Sequence, residues 1–448
     1  MHYIPLTRQD EQEMLKCIGV NTFEELLKNI IPDGLRESQP LGLPQPVSEQ
    51  ELRKIIKRLG EMNITTGDYI SFLGGGIYDH YIPAVINQLL LRSEFYTAYT
   101  PYQAEVSQGT LQSIFEYQTA ICELTGMDVS NASMYDGASA LAEACLMAKT
   151  ITRRNKVLMA ETVNPLHQMV VRTYTAGTET PVEIISNKDG AVDLEILQKK
   201  IDADTACVAI QHPNFFGILE EVFEIEKIVH NQGALLVVSF DPISLGLLSP
   251  PGDYKADIAV GEGQGLGLPM GFGGPLLGIF TTRKDFIRFM PGRIVGETTD
   301  VDGRRGFVLT LQTREQHIRR EKATSNICTN EALCALAALI YLSLMGPSGL
   351  REVAEQSLLK SHYLKEQLAR IPGIKIPFTR DFFKEFVLEL DNPGRIIDQL
   401  LNKHIFAGIN LGQFDQRWQN YLLVAVTEKR TREELDYFVG CMREVFAA

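Results

Sequence analysis

Short apolar runs at residues 156–160, 182–186, 206–211, 234–240, 258–260 and 276–282 punctuate the middle of the chain. Amphipathic stretches such as 193–201 and 219–231 separate them. Strand-length apolar runs alternating with helical periodicity predict a mostly parallel sheet covered by helices. Before this region the pattern is helical. Asn21 with Glu24 and Ser48 with Glu51 have capping-box spacing, and Leu52, Ile55, Ile56 and Leu59 then repeat on one helical face. A further helix is expected over 79–92, after the triplet Gly74, Gly75 and Gly76. Such an arm packs either on a second subunit or on its own large domain. After an arginine-rich polar segment, 304–322, a long helix starts near Asn330. Beyond it come helix (348–370), strand (385–390), helix (395–403), strand (421–426) and helix (431–446), the last opened by a Thr431/Glu434 capping box. The pattern divides the chain into a helical arm (1–107), a large α/β domain (108–320) and a small C-terminal α+β domain (321–448).

Length and composition agree with more than one domain in an ordinary globular protein: 448 residues, 45% hydrophobic and 22% charged. The net charge of −13 argues against a nucleic-acid partner. Seven scattered cysteines, odd in number and without a CxxC pair, suggest reduced thiols. Residues 1–12 are polar, without a signal-peptide core. The longest apolar stretch, 332–345, is shorter than the ~20 residues of a membrane span. A cytoplasmic protein without membrane contact is expected. The eight histidines show no metal-ligand spacing, and neither a phosphate-binding GKS/T loop nor a GxSxG elbow is present.

The chemistry-bearing candidates cluster around the predicted sheet, whose carboxyl ends are where ligands of such folds bind. The run 234–240 ends in Asp241, and the glycine-rich stretch 261–275 contains Gln264. Together they read as one edge of a pyridoxal-phosphate site, where a lysine amine forms a Schiff base and an acid pairs with the pyridine nitrogen. Gln264 stands where that lysine is expected, and an amide nitrogen is no nucleophile. The only lysine nearby is Lys255. Asp136, Gly137, Ala138, Ser139 and Ala140 form a small-residue turn into a helix, suited either to an anion or to plain packing. His167 could stack on a ring or sit on a helix surface. Asp241 could equally cap the segment after it, and His212 is ambiguous. The polar-aromatic segment 96–112 concentrates Tyr96, Tyr99, Tyr102, Gln103, Glu105, Ser107 and Gln108, as a binding loop or a subunit contact.

Four segments carry a resemblance: FLGGGIYDHYIPAVI (72–86), 99–140, the glycine-rich 261–275, and GETTDVDGRRGFVLTLQTREQHIRREKATSNICTN (296–330). They resemble the glycine cleavage system P-protein family, glycine decarboxylase, and more narrowly the alpha subunits of its two-chain form. The resemblance runs over essentially the whole chain. It implies the aspartate-aminotransferase-type (fold type I) architecture and a beta subunit that carries the pyridoxal phosphate. The complex, of two alpha and two beta chains, would decarboxylate glycine and pass the aminomethyl group to the lipoyl group of H-protein. Where cofactor-bearing chains have an HK pair, this chain has Gly263 and Gln264. Asp241 matches the residue facing the pyridine nitrogen, 136–140 the phosphate cup and His167 the ring-stacking position, so the chain's own pocket is expected to be vestigial. Tyr99, Tyr102, Gln103, Glu105, Gln108, Thr324, Ser325 and Asn326 are the candidates for a wall of the partner's pocket, and the arginine-rich segment 304–320 for contact with H-protein. The alternatives are a purely structural subunit, or an autonomous enzyme using Lys255 or Lys284.

Overall fold

The computed structural model describes residues 5–36 and 42–447 and divides into two compact units, Met1–Ile64 and Thr65–Ala448. In the first, Arg8–Ile18 is capped by Thr7 with Asp10, and Glu49–Gly60 by the expected Ser48/Glu51 box. The helix Phe23–Ile30 starts one residue later than the spacing suggests. Thr22 is its cap, accepting from the Glu25 N–H, while the Asn21 N–H donates to the Glu25 carboxylate.

The second unit is built on a seven-stranded sheet: β1 (Val129–Ser130), β2 (Lys156–Ala160), β3 (Val182–Ile185), β4 (Thr205–His212), β5 (Leu235–Phe240), β6 (Ile258–Glu262) and β7 (Gly278–Thr282). Its spatial order is β1-β7-β6-β5-β4-β2-β3. β3, β2, β4, β5 and β6 are parallel, and β7 runs antiparallel to both neighbours. Every side chain of β2 is buried, as strands covered on both faces require. The helix Gly137–Thr152 buries Ala140, Leu141, Ala144 and Cys145 in the core around this sheet.

A second core lies under the three-stranded antiparallel sheet of Glu385–Glu389, Tyr421–Ala425 and Ile409–Asn410. Ile70–Ser71 pairs in parallel with Ile405–Phe406, and Phe72 is fully buried in this second core. The stretch after Ile64 therefore belongs with the second compact unit. The helix expected over 79–92 is confined to Ala84–Leu90, with Pro83 at its N-cap.

The helix Ala332–Leu368 spans both cores, interrupted at Gly346 just before Pro347, which has no N–H for the helical ladder. Its first half buries Ala337, Ala338 and Tyr341 against the large sheet, and its second half buries Leu364 and Leu368 in the smaller core. By composition it is long and apolar enough to cross a membrane. Its packing makes it a core helix.

Absent from the sequence-based elements is the hairpin Ile294–Thr299/Arg305–Thr310. Val295 and Phe307 turn inward onto Leu111 and Ile114, while Arg305 lies exposed over the Phe307 ring and pairs with Glu297. Glu297 and Arg305 stand on the same face as Val295 and Phe307, nearer the hairpin's tip, so charge interrupts the apolar face and no clean two-residue alternation shows.

Candidate functional site

The carboxyl ends of β5 and β6 line one cavity, and the helix Gly137–Thr152 starts against Glu262 at its edge. Gly137 abuts the end of β6 so closely that a Cβ would stand 3.0 Å from the Glu262 backbone nitrogen, which explains the small residue. Asp136 caps the helix: its carboxylate accepts the Ser139 N–H at 2.6 Å, and the Ser139 hydroxyl accepts the Asp136 N–H. The Glu262 carboxylate takes the Gly137 N–H at 3.0 Å, the Gln264 N–H at 3.0 Å and the Leu277 N–H at 3.1 Å. Burial nevertheless pushes it up to about 7.

At the end of β5, Asp241 does cap the next segment, its carboxylate accepting the Ile243 N–H at 3.0 Å. Its second oxygen lies 2.7 Å from the Lys384 ammonium, which is 2% exposed. That ammonium also meets His80 Nε2 at 3.0 Å and sits 3.5 Å from the centroid of the Tyr78 ring. An ammonium only donates, so His80 accepts at Nε2 and carries its proton on Nδ1, facing the Glu428 carboxylate at 2.6 Å. Beside Lys384, Glu385 accepts the Tyr78 hydroxyl and the Gly75 N–H, both at 2.7 Å, and burial pushes it up to about 7. Gly217, at φ 82°, lets this segment pass. A Cβ there would lie 1.9 Å from the Glu385 carbonyl oxygen, and the Gly217 carbonyl accepts the Phe383 N–H.

Gln264 is 1% exposed and works as a backbone clip. Its oxygen accepts the Tyr78 N–H at 2.9 Å, and its nitrogen donates to the carbonyls of Tyr78 (3.0 Å) and Leu268 (2.8 Å). His167 also lines the cavity from the helix Pro165–Ala176. Burial lowers it to about 4 and leaves its Nδ1 without a partner.

Pyridoxal phosphate does not fit these residues. The cavity is about 30 Å³, room for a water or two, against roughly 300 Å³ and more for a small-molecule site. Two carboxylates already take N–H groups at the helix start that a phosphate would need, an ammonium holds Asp241, and position 264 offers no amine. Lys255 precedes β6, at the opposite end of the sheet, with its exposed amine 3.9 Å from Glu226. Lys284 comes after β7, which runs antiparallel to β6, and so lies at that same far end.

The other sequence candidates lie outside the cavity. Tyr99, Tyr102, Gln103 and Glu105 are exposed, and the Arg293 guanidinium lies over the Tyr102 ring at 5.6 Å. The Gln108 amide ties its own chain together, donating to the Ala104 and Phe307 carbonyls and accepting the Phe307 N–H. Thr324 and Ser325 are half-buried and Asn326 is exposed. The Ser325 hydroxyl accepts the Ile327 N–H at 3.0 Å, and burial pushes nearby Glu143 up to about 7. His212 is structural, accepting the Glu220 N–H at 3.1 Å. The residues that sequence reasoning overlooks are Glu262, Lys384, Glu385 and Tyr78. The one signal for them is the charged pair Lys384–Glu385 inside the apolar run Phe382 to Leu388.

The family model of the glycine cleavage system P-protein matches residues 1–442. The chain belongs to that family. A probable glycine dehydrogenase (decarboxylating) subunit 1 of Carboxydothermus hydrogenoformans is 57% identical over 98% of both chains. Its counterpart from Moorella thermoacetica is 52% identical over the whole of both. Among solved structures, glycine decarboxylase (P-protein) of the glycine cleavage system, in an inhibitor-bound form, matches with a TM-score of 0.93 at 43% identity, over 99% of this chain and 100% of that one. A NifS-like protein matches at a TM-score of 0.64 and 15% identity, over 85% of this chain and 99% of the other, a likeness of fold alone. The aspartate-aminotransferase-type architecture expected from the sequence is the one found.

Proposed function

We propose that this chain is the alpha subunit of a two-chain glycine decarboxylase whose beta subunit holds the pyridoxal phosphate. The complex decarboxylates glycine and transfers the aminomethyl group to the lipoyl group of H-protein. The observation that carries this reading is a P-protein chain, similar along its full length to proteins named subunit 1, whose own pocket is closed by its own side chains. The cofactor supplies the electron sink. This chain's part is to complete and orient the partner's pocket with the exposed Tyr99–Glu105 loop and residues 324–326. Its surface suits a partner: a recess of about 570 Å³ lined by Val85, Leu89, Phe95, Leu339, Ile340 and Leu344 adjoins the helix after the tyrosine loop. Seven free thiols fit a reducing cytoplasm.

The test is reconstitution with the beta chain. Glycine–carbon dioxide exchange is expected only when both chains are present, and exchange by this chain alone would overturn the reading. Lysine positions argue against the autonomous alternative, since Lys255 and Lys284 lie at the wrong end of the sheet. The purely structural alternative is separated by Tyr99→Ala and Gln103→Ala in the reconstituted complex, because scaffolding alone leaves exchange unchanged.

A further inference from the structure

Pyridoxal phosphate has two charged ends, a phosphate dianion and a pyridinium. A helix N-terminus is the usual cradle for the first and a carboxylate the usual partner of the second. Both receptors survive here, and each is already satisfied from within the chain. The Gly137 N–H at the helix start, with those of Gln264 and Leu277, converges on the Glu262 carboxylate. The Asp241 carboxylate is met at 2.7 Å by the Lys384 ammonium, which also lies over the Tyr78 ring. Both replacing groups line the same small cavity as His167. We propose that Glu262 and Lys384 are a built-in substitute for the two charged ends of the cofactor, an anion on the helix start and a cation on Asp241, so that the pocket is self-filled and closed to the cofactor whatever stands at 264. This reading rests on the proposed function only for the identity of the cofactor.

The substitution does more than fill space. Lys384 and Glu385 enter from the smaller lobe, just before and at the start of the strand Glu385–Glu389. They bind Asp241 on the sheet lobe and Tyr78 and Gly75 on the crossing segment. An external ligand that bridges two lobes can come and go, whereas an internal one fixes their closure.

The test uses the full chain alone, so its failure is distinguishable from failure of the reconstitution. Removing the internal anion should uncover its cradle. At pH 8 and matched ionic strength, inorganic phosphate at ten times its dissociation constant should raise the thermal midpoint of Glu262→Ala by about 2 °C. It should leave the unaltered chain unmoved. Methylammonium should do the same for Lys384→Ala, filling the cation position on Asp241. Equal shifts in the variants and the unaltered chain, or no shift in a variant that remains folded, would overturn the proposal. A second measurement does not depend on those variants folding. Gln264→Lys, incubated with pyridoxal phosphate and then reduced with borohydride, is expected to show no pyridoxyl mass at position 264. Stoichiometric labelling there would also overturn it.

Discussion

Replacing Lys384 by methionine removes one charge from a nearly buried ion pair. The ammonium is 2% exposed and its partner Asp241 is 14% exposed, so the variant strands a nearly buried carboxylate and leaves His80 Nε2 without its donor. Breaking one half of a buried pair costs about 3–5 kcal/mol, because the remaining charge loses its compensation. The methionine keeps most of the buried volume, so little of the loss is a cavity effect. A unit of some 380 residues melts with an entropy of roughly 0.8 kcal/mol per kelvin, so the midpoint of Lys384→Met should fall by ~4–6 °C.

The double variant Lys384→Met/Asp241→Asn separates charge from packing. Asparagine keeps an acceptor for the Ile243 N–H and carries no charge. Scanning calorimetry of the two single variants and the double completes a thermodynamic cycle. The double should recover to within ~2 °C of the unaltered chain, since a neutral pair avoids the isolated charge. If Lys384→Met melts within 1 °C of the unaltered chain, or if the two single effects simply add, the ammonium is not holding Asp241 and the reasoning fails.

The same structure makes further predictions. Gln264→Lys cannot accept the Tyr78 N–H and should cost about 1–3 kcal/mol, read as a lower thermal midpoint; an unchanged midpoint would mean that this N–H finds another acceptor. Gln108→Ala removes three bonds to the Ala104–Ser107 loop and the hairpin. Amide exchange at Phe307 should then quicken by about tenfold, the loss of roughly 1–1.5 kcal/mol of local protection, with little change in the global midpoint. In the reconstituted complex, Tyr99→Ala should lower glycine–carbon dioxide exchange by tenfold or more while the melting of this chain stays put, as befits a side chain 82% exposed. Glu143, Glu262 and Glu385 each rise to about 7 through burial. Between their unfolded range near 4.5 and that value, the folded chain keeps protons that the unfolded chain has released, so their stabilisation is full below 4.5 and lost as pH rises through 7. His167 and His212, lowered by desolvation to about 4, act in the opposite sense below 6.5. Between pH 6.5 and 7.5 the midpoint should therefore fall, His230, raised by its bond to Asp257, adding in the same sense, and Glu385→Gln should lessen that slope.

The elements of the large sheet are legible because a strand buried on both faces reads as a continuous apolar run, and β2, β4 and β5 do so. The hairpin 294–310 is not, because Glu297 and Arg305 share a face with Val295 and Phe307, and glycines and threonines hold much of the other, so neither face reads as an apolar stripe. Position 264 can be flagged from local sequence, since a missing amine is a property of one residue. The groups that replace its function cannot. Gln264 clips Tyr78, 186 positions away, and Lys384 reaches Asp241 from the residue before a strand that the sequence pattern assigns to a separate small domain. Long-range pairing of single polar residues leaves no periodic trace.

On the proposed reading of a vestigial pocket, that arrangement also explains why the frame of the site persists without its anchor. Asp241 is needed twice, once as acceptor for the Ile243 N–H and once as charge partner, and only the second use depends on a cation. Losing a cationic ligand from such a carboxylate leaves three outcomes: protonation, removal of the acid, or a cation supplied by the chain. Removal exposes the Ile243 N–H, and protonation leaves the acid's pairing to a single weak donor. Lys384 supplies the cation while anchoring the smaller lobe to the sheet, and the Tyr78 ring and His80 complete its shell. The helix start faces the matching problem with opposite sign, and Glu262 answers it with one carboxylate spread over three N–H donors. On the proposed reading, a pocket that has lost its ligand meets its remaining charges one by one, and Glu262 and Lys384 then bar the ligand's return more firmly than the loss of one lysine does.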